Sequence, residues 1–359
     1  MTSKLGRRHI LKAGVGLAPA LLGAGSVAAD ATRHKGWPLV PMQGSNPLEA
    51  KIIVFTTVSP DVDASIRFYT QVMGFELLED AKLPAQVSTA PGAGTAGRRC
   101  ALIGAPKADR GATIRILEAP PGAGAIRPRA GSGVTPANAW DPGLLVMEGG
   151  ARDAAESYHA LKSAGTPMIS PPRYYFFRAE GDRPDLDVMS YAPFGPGGEQ
   201  LFITINVRND RPEWTAPGLH TPPGGFSLVS LDQRPVEEFY LKALGLKRTS
   251  QMDCHQRNCN ELIGAPRDTY FLWGRLGNVS MEIWEFKVPE GTLYPCTLDK
   301  TGLAMVTMRV NDLAKCRAMC KASGITQVGE GAFPQPGLPR PQGFTLQGAV
   351  GELVEVVQA

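Results

Sequence analysis

The chain has 359 residues, of which 43% are hydrophobic and 20% charged, and its formal net charge at pH 7 is +3. This length and apolar share are typical of a globular protein with enough core for two domains of ordinary size. The small net charge, without a run of Lys or Arg beyond the first dozen residues, argues against nucleic acid or an anionic membrane surface as a partner.

The first 29 residues resemble a twin-arginine export signal. Arg7 and Arg8 precede a mildly apolar stretch from Ala13 to Gly25, and small residues lead up to Ala29. We expect the twin-arginine export machinery as a partner, cleavage after Ala29 and a periplasmic mature protein. No other apolar run approaches the roughly 20 residues that span a bilayer, so membrane insertion is not expected.

Two segments of the chain repeat each other, and this repeat indicates an internal duplication. In both copies a Val-Ser pair is followed at the same spacing by Phe-Tyr, and later by Leu-Ile-Gly-Ala-Pro. The matching segments are 55–59, 68–69 and 102–106 in the first copy, and 226–230, 239–240 and 262–266 in the second.

The first copy predicts a strand, a helix and three further strands, in that order. Alternating apolar residues predict the strands, and apolar residues at helical spacing predict the helix. Asp61 is the expected N-cap of this helix, and Gly74 is expected to end it. The predicted ranges are 52–58, 61–73, 75–79, 99–104 and 113–118.

Weaker echoes of the same order begin at Gly143 and Gly302, which makes four modules. Segments rich in Pro and Gly at 119–142 and 206–225 separate them. Helices are predicted at 235–244 in the third module and at 312–322 in the fourth. The sequence therefore predicts an α+β fold of four βαβββ modules.

The modules predict a simple division of the chain. We expect a signal peptide at 1–29, an N-terminal extension at 30–49, a first two-module domain at 50–207, a linker at 208–224 and a second two-module domain at 225–359. Each domain pairs two modules that follow each other in sequence.

The module order and the Val-Ser, Phe-Tyr and following Gly motifs resemble the vicinal oxygen chelate superfamily of glyoxalases, extradiol dioxygenases and bleomycin-resistance proteins. The resemblance implies that two modules form one cupped sheet. It also implies a metal inside the cup, held by a residue from the first strand and one from the last strand of each module. The superfamily hosts several reactions, so it does not fix one.

These family positions can be located in the sequence. The first-strand positions are Ile53, Leu144, Gly224 and Met305, within one residue, and the last-strand positions are Arg115, Phe202, Glu282 and Glu355. The cup of modules one and two then has Arg115 as its one charge, which could bind a substrate carboxylate or pair with a neighbour such as Glu148. The cup of modules three and four has two carboxylates, Glu282 and Glu355.

Two carboxylates in an apolar cup suit acid–base catalysis, because their repulsion and burial let one keep its proton while the other acts as a base. We predict catalytic roles for Glu282 and Glu355, with His255 and Tyr270 as weaker candidates. Phe226, Trp284 and Met305 are predicted to bind the substrate, with Arg115. The alternative is that the two glutamates are ancestral ligand positions now paired with arginines or water.

No cofactor is favoured by this residue set, although a divalent metal is possible. Two carboxylates rarely hold zinc or iron alone, so a metal would need Glu282, Glu355 and His255 together. Cys254 and Cys259 are equally compatible with a disulfide and with free thiols.

The sequence favours an exported lyase or isomerase that acts on a hydrophobic or aromatic small molecule without a metal. The alternatives are a periplasmic binding or resistance protein without catalysis and a metal-dependent extradiol-type dioxygenase. The aromatic run 174–177 suggests an inter-domain contact or a homodimer interface, and the alternative is that it forms a wall of the ligand site.

Overall fold

The computed structural model describes residues 45–84, 86–94, 97–105, 111–177, 186–207, 216–254, 256–277 and 279–358. The predicted signal peptide and His255 lie outside this part of the chain. The described residues form sixteen strands and five helices. The strands are β1 Lys51–Ser59, β2 Glu76–Lys82, β3 Arg99–Gly104, β4 Thr113–Glu118, β5 Gly143–Gly150, β6 Arg173–Phe177, β7 Leu186–Tyr191, β8 Gln200–Asn206, β9 Gly225–Ser230, β10 Arg248–Cys254, β11 Phe271–Leu276, β12 Met281–Phe286, β13 Gly302–Val310, β14 Gln327–Glu330, β15 Gly343–Gln347 and β16 Leu353–Gln358.

Each module has one helix between its first and second strands. These helices are α1 Val62–Arg67, which continues as a π-helical turn over Phe68–Val72, α2 Ala154–Ser163, α3 Gln233–Leu244 and α5 Leu313–Ala322. The third module also has a second helix, α4, Arg257–Ile263. The predicted α+β fold of four βαβββ modules is confirmed.

An aspartate starts every module helix in the same way. Its side chain accepts a hydrogen bond from a backbone N–H of the first turn, which satisfies one of the donors that a helix start leaves open. The four caps are Asp61, Asp153, Asp232 and Asp312. The repeated serine supports two of these starts, because Ser59 Oγ and Ser230 Oγ donate to the carbonyls of Asp61 and Asp232.

The repeated tyrosine links consecutive modules. The hydroxyl of Tyr69, in the helix of module one, donates a 2.7 Å hydrogen bond to Glu199 at the start of the last strand of module two. In the second copy, buried Tyr240 and Glu352 are close enough for the Glu352 carboxylate to raise the pKa of the tyrosine, together with burial. Both glutamates are about 1% exposed.

The strands form two eight-stranded sheets, but these do not join consecutive modules. Sheet A has the order β14-β15-β16-β13-β1-β4-β3-β2 and combines modules one and four. Sheet B has the order β10-β11-β12-β9-β5-β8-β7-β6 and combines modules two and three. The expected pairing within 50–207 and within 225–359 is therefore wrong.

The centre of each sheet explains this arrangement. β1 pairs antiparallel with β13, and β5 pairs antiparallel with β9, so each module extends its sheet from its own first strand. The two sheets pack together, with Phe55 of β1 and Phe226 of β9 in an edge-on ring contact of 6.3 Å. All four modules begin with a similar strand that can pair with any of the others. Local sequence therefore does not distinguish the observed pairing of modules one with four and two with three from the expected pairing of one with two and three with four.

None of the helices in the described ranges has both the length and the apolar character needed to cross a membrane.

Candidate functional site

Each sheet curls into a cup lined by four equivalent positions. Two come from the central strands, and each of these lies beside one residue of the neighbouring parallel strand. In cup A, formed by sheet A, the pairs are Thr56 with Arg115 and Thr307 with Glu355. In cup B, formed by sheet B, they are Glu148 with Phe202 and Ser227 with Glu282.

Cup A is closed by an internal ion pair. Two nitrogens of Arg115 lie 3.2 Å from Oε2 of Glu355, and both side chains are fully buried. Thr56 accepts a 2.9 Å hydrogen bond from Arg115, and Thr307 donates a 2.7 Å hydrogen bond to Glu355. Hydrogen bonds therefore join all four equivalent positions of this cup, and Arg115 Nε is a buried atom without a partner among the described residues.

The segment between β14 and β15 completes the closure. The backbone N–H of Phe333 donates to Oε1 of Glu355 at 2.8 Å, and the carbonyl of Pro334 accepts from Arg115 at 3.2 Å. The Arg115 guanidinium also lies 5.2 Å from the centre of the Phe333 ring. This charge pair connects the strands of sheet A with the segment between β14 and β15. Most of its hydrogen-bonding atoms are already occupied, so few remain to bind a substrate.

Cup B instead contains a cavity of about 390 Å³. Its wall combines aromatic side chains with two carboxyl groups, which is the usual character of a small-molecule site. The side chains that define it are Glu148, Tyr175, Phe202, Cys259, Phe271, Trp273, Arg275, Glu282 and Trp284.

Glu282 is fixed at the wall of this cavity by three donors. The indole nitrogens of Trp273 and Trp284 donate to Oε2, the second at 3.2 Å. Arg275 donates to Oε1 at 3.2 Å from Nε and lies 3.1 Å away through its terminal nitrogen. Indole and guanidinium groups only donate, so Glu282 serves as the acceptor in every one of these bonds.

Glu148 is the second carboxyl group of the cavity, and its environment is different. Ser227 donates to its Oε1, while burial, the charge of Glu282 and a hydrogen bond with Glu282 raise its pKa well above the ordinary value. Burial is the largest of these causes. Glu148 therefore keeps its proton to higher pH than an ordinary glutamate, beside a carboxylate held by donors.

The aromatic wall is packed rather than loose. Trp284 meets Phe202 edge-on at 5.7 Å and Phe271 at 5.5 Å, and Arg275 covers Trp273 at 4.9 Å from the ring centre. Rings fixed by such contacts present a constant surface to a flat ligand.

The structure separates the residues that were predicted to form one site. Glu282 and Trp284 line cup B, as period-two alternation in β12 predicts, whereas Glu355 lies in cup A, paired with Arg115. The expected convergence of Glu282 and Glu355 is wrong, because their strands belong to different sheets.

The other predicted residues also lie away from the cavity. Phe226 packs between the sheets because its neighbour Ser227 takes the cup-facing position, and Met305 is buried in sheet A. Half-buried Tyr270 precedes β11, and its carbonyl accepts from the backbone of Lys287. His255 is outside the described residues.

Sequence reasoning missed Glu148 as a site residue. The first-strand positions were placed two to four residues too early, at Leu144 instead of Glu148 in β5, and a register shift between Leu144 and Val146 lies in that strand. Such an irregularity adds one residue to the count along the strand, so it accounts for only part of this displacement. One signal could have found it: Glu148 is the single charge in the strand 143–150.

A divalent metal does not fit the residues of cup B. The four equivalent positions supply two carboxyl groups, one serine hydroxyl and a phenyl ring, and Glu282 already accepts from three donors. Within the described ranges, no group of three His, Cys, Asp or Glu side chains is arranged to hold an ion.

Cys254 and Cys259 are thiols in this structure, and a hydrogen bond joins them. Cys259 lines the cavity, and both side chains are buried.

Comparison with known proteins agrees with the fold. Residues 51–198 match the model of the Glyoxalase/Bleomycin resistance protein/Dioxygenase superfamily. None of the curated proteins compared with the chain matches it.

The similar solved structures include several of glyoxalase I from Zea mays. One mutant of that enzyme is 16% identical to this chain, with 88% of this chain and 93% of that chain covered and a TM-score of 0.55. The unmutated enzyme is also 16% identical, with 86% and 92% covered and a TM-score of 0.51. At this identity the likeness shows the fold alone.

Proposed function

We propose that this chain, whose family match and duplicated fold support membership of the glyoxalase/bleomycin resistance/dioxygenase superfamily, is an enzyme that moves protons on a hydrophobic or aromatic small molecule in cup B. The observation that carries the proposal is the pair Glu148 and Glu282, two adjacent carboxyl groups in unequal environments. Reactions of this kind are isomerisations and eliminations.

The two glutamates suit complementary roles. Glu148 holds a proton because burial and the neighbouring charge raise its pKa, so it acts as the general acid. A carboxylate has about four acceptor positions, so Glu282 would act as the base by giving up one of its present donors when it takes a proton from the substrate. An isomerisation would take one proton to Glu282 and return one from Glu148, which conserves the total.

The remaining residues would position the substrate. Trp273, Trp284 and Phe271 offer faces and edges for a flat molecule, and Arg275 keeps Glu282 oriented toward the cavity.

The proposal is tested by incubating the protein with a panel of small aromatic and alicyclic compounds and following each by mass spectrometry and by proton exchange from deuterated water. We expect Glu148→Gln and Glu282→Gln to bind the converted compound but to lose turnover. Glu330→Gln, in an exposed ion pair of module four, serves as the matched control. Equal turnover in all three variants would exclude the two carboxyl groups as catalysts.

A binding protein without catalysis is the second candidate. It is favoured by the number of donors that Glu282 already accepts, since three partners suit a fixed structural acceptor as well as a base. A binder returns its ligand unchanged and exchanges no deuterium into it, which separates the two functions in the same experiment.

Export to the periplasm is part of the proposal. It is supported by the order of paired arginines, apolar stretch and small residues before Ala29.

A further inference from the structure

A second cavity, of about 660 Å³, lies apart from cup B and shares no lining residue with it. Segments from modules two, three and four and from the connection before module two surround it: the loop 126–139, the start of β5, the segment 167–169, the turn before β8, the end of α4 and the start of β13. A volume of this size accommodates a small organic molecule.

Arg129 brings a positive charge to this cavity and has no ion-pair partner among the described residues. Its guanidinium lies 4.9 Å from the centre of the Phe194 ring, and within the described chain it has no hydrogen bond or ion pair. The loop that presents it is anchored, because Arg127 donates to the carbonyls of Asp141 at 2.8 Å and Asn138 at 2.7 Å. Arg129 is therefore held in place by its surroundings rather than by a counter-ion.

Gln200 adds an unused donor to the same wall. Its side chain is only 9% exposed, and its amide nitrogen Nε2 has no hydrogen-bond partner. A buried polar group without a partner is unfavourable, because folding removes its hydrogen bond to water and puts nothing in its place. A ligand oxygen that accepts from this nitrogen would remove that cost.

The one acidic side chain among the described lining residues does not cancel the charge. Glu199 is 1% exposed and accepts from Tyr69, and burial raises its pKa despite the opposing effect of Arg129. Its carboxyl group therefore keeps its proton to higher pH than an ordinary glutamate, and within the described residues it forms no ion pair with Arg129. The rest of the lining is mainly apolar and includes Ile126, Leu144, Met168, Ile169, Ile263 and Leu303.

We propose that this cavity is a second binding site, for a small organic oxyanion whose carboxylate or phosphate accepts from Arg129 and Gln200 while its apolar body lies against the aliphatic side chains. The proposal does not depend on the function of cup B. A guanidinium and an amide NH₂ are both pure donors, which matches an oxyanion and disfavours a cation.

Titration calorimetry with benzoate, phenyl phosphate and the neutral benzamide tests the site. We expect one of the two anions to bind more tightly than benzamide, with one site per chain. Arg129→Gln should weaken that binding about tenfold or more, since hydrogen bonds to charged groups contribute roughly 1.5–3 kcal/mol. Gln200→Glu, which adds a negative charge at the wall, should abolish it.

Two variants control for location and for total charge. Arg275→Gln alters the guanidinium of cup B, and Arg309→Gln removes an exposed charge of β13, so both should keep the affinity of the wild-type protein. Thermal melting confirms that each variant is folded. The proposal is overturned if neither anion exceeds benzamide, if Arg129→Gln and Gln200→Glu behave like Arg309→Gln, or if Arg275→Gln is the variant that loses binding.

Discussion

Arg115 and Glu355 lie 240 residues apart in sequence and form a fully buried ion pair at 3.2 Å in cup A. Glu282 of cup B and the pair Arg115 and Glu355 of cup A all occupy the last-strand position of their modules. In cup A this position therefore serves an internal contact. One of two equivalent cups is filled by its own side chains, and the other contains a cavity.

Removing one partner of this pair should therefore damage stability. We expect Glu355→Ala to lower the free energy of unfolding by about 3–5 kcal/mol, because Arg115 would remain buried without a counter-charge. Glu330→Ala, which breaks the exposed pair with Arg317, should cost at most about 1 kcal/mol. Urea unfolding of both variants measures the difference, and equal losses would contradict the structural role of Glu355.

Stability should fall as the pH rises from 5 to 8. Burial raises the pKa of Glu352 to about 7, above its ordinary value of 4.5, so the folded state binds the proton more tightly than the unfolded state. The stabilisation of the folded state by this tighter proton binding is complete below about pH 4.5 and is lost as the pH passes 7. A shift of this size corresponds to roughly 3 kcal/mol, and buried Glu199 changes in the same direction.

Denaturant unfolding at several pH values checks this dependence. The variant Glu352→Gln cannot titrate, so the difference between wild-type and variant curves isolates the residue. A difference that stays constant or grows more favourable to the wild type between pH 5 and 8 would contradict the assigned direction.

Turnover in cup B should require protonated Glu148. Because burial raises the pKa of Glu148, together with the charge of Glu282, the acid form persists to higher pH than in an ordinary glutamate and is lost only as the pH climbs through that raised value. We expect the rate with a converted compound to fall at high pH. A rate that instead rises along the same limb would assign the residue as a base.

The folded protein, purified without chelator, should contain much less than one equivalent of any divalent metal. The donors of cup B do not fit an ion, although His255 lies outside the described residues. Elemental mass spectrometry measures the content. A stoichiometric metal that disappears in Glu148→Ala/Glu282→Ala or in His255→Ala would reverse this expectation.

Export should produce a mature chain that begins at Asp30. N-terminal sequencing of the periplasmic protein tests cleavage after Ala29. Replacement of Arg7 and Arg8 by lysine should leave the precursor uncleaved, and normal processing of that variant would speak against the twin-arginine route.

The sequence predicted local structure better than it predicted partners. Strands at 99–104 and 113–118 and the capped helices follow from patterns within a few residues, and these agree with the structure. The pairing of β1 with β13 depends on contacts between distant repeats that look alike, which no local pattern ranks. The alternation within β12 was enough to identify Glu282 as a site residue. Its partner depends on the pairing of the modules, so Glu355 was predicted in place of Glu148.

Sheet A joins the first and last modules of the chain, and this pairing affects the order in which the two sheets can form during folding. Modules two and three are neighbours in the chain, so sheet B can assemble as soon as both have been synthesised. Sheet A must wait for β13 and β16, and until then β1 exposes an unpaired edge and Arg115 has no counter-charge. Contacts of such long range make folding slow. The first module to be made is thus the last to be completed.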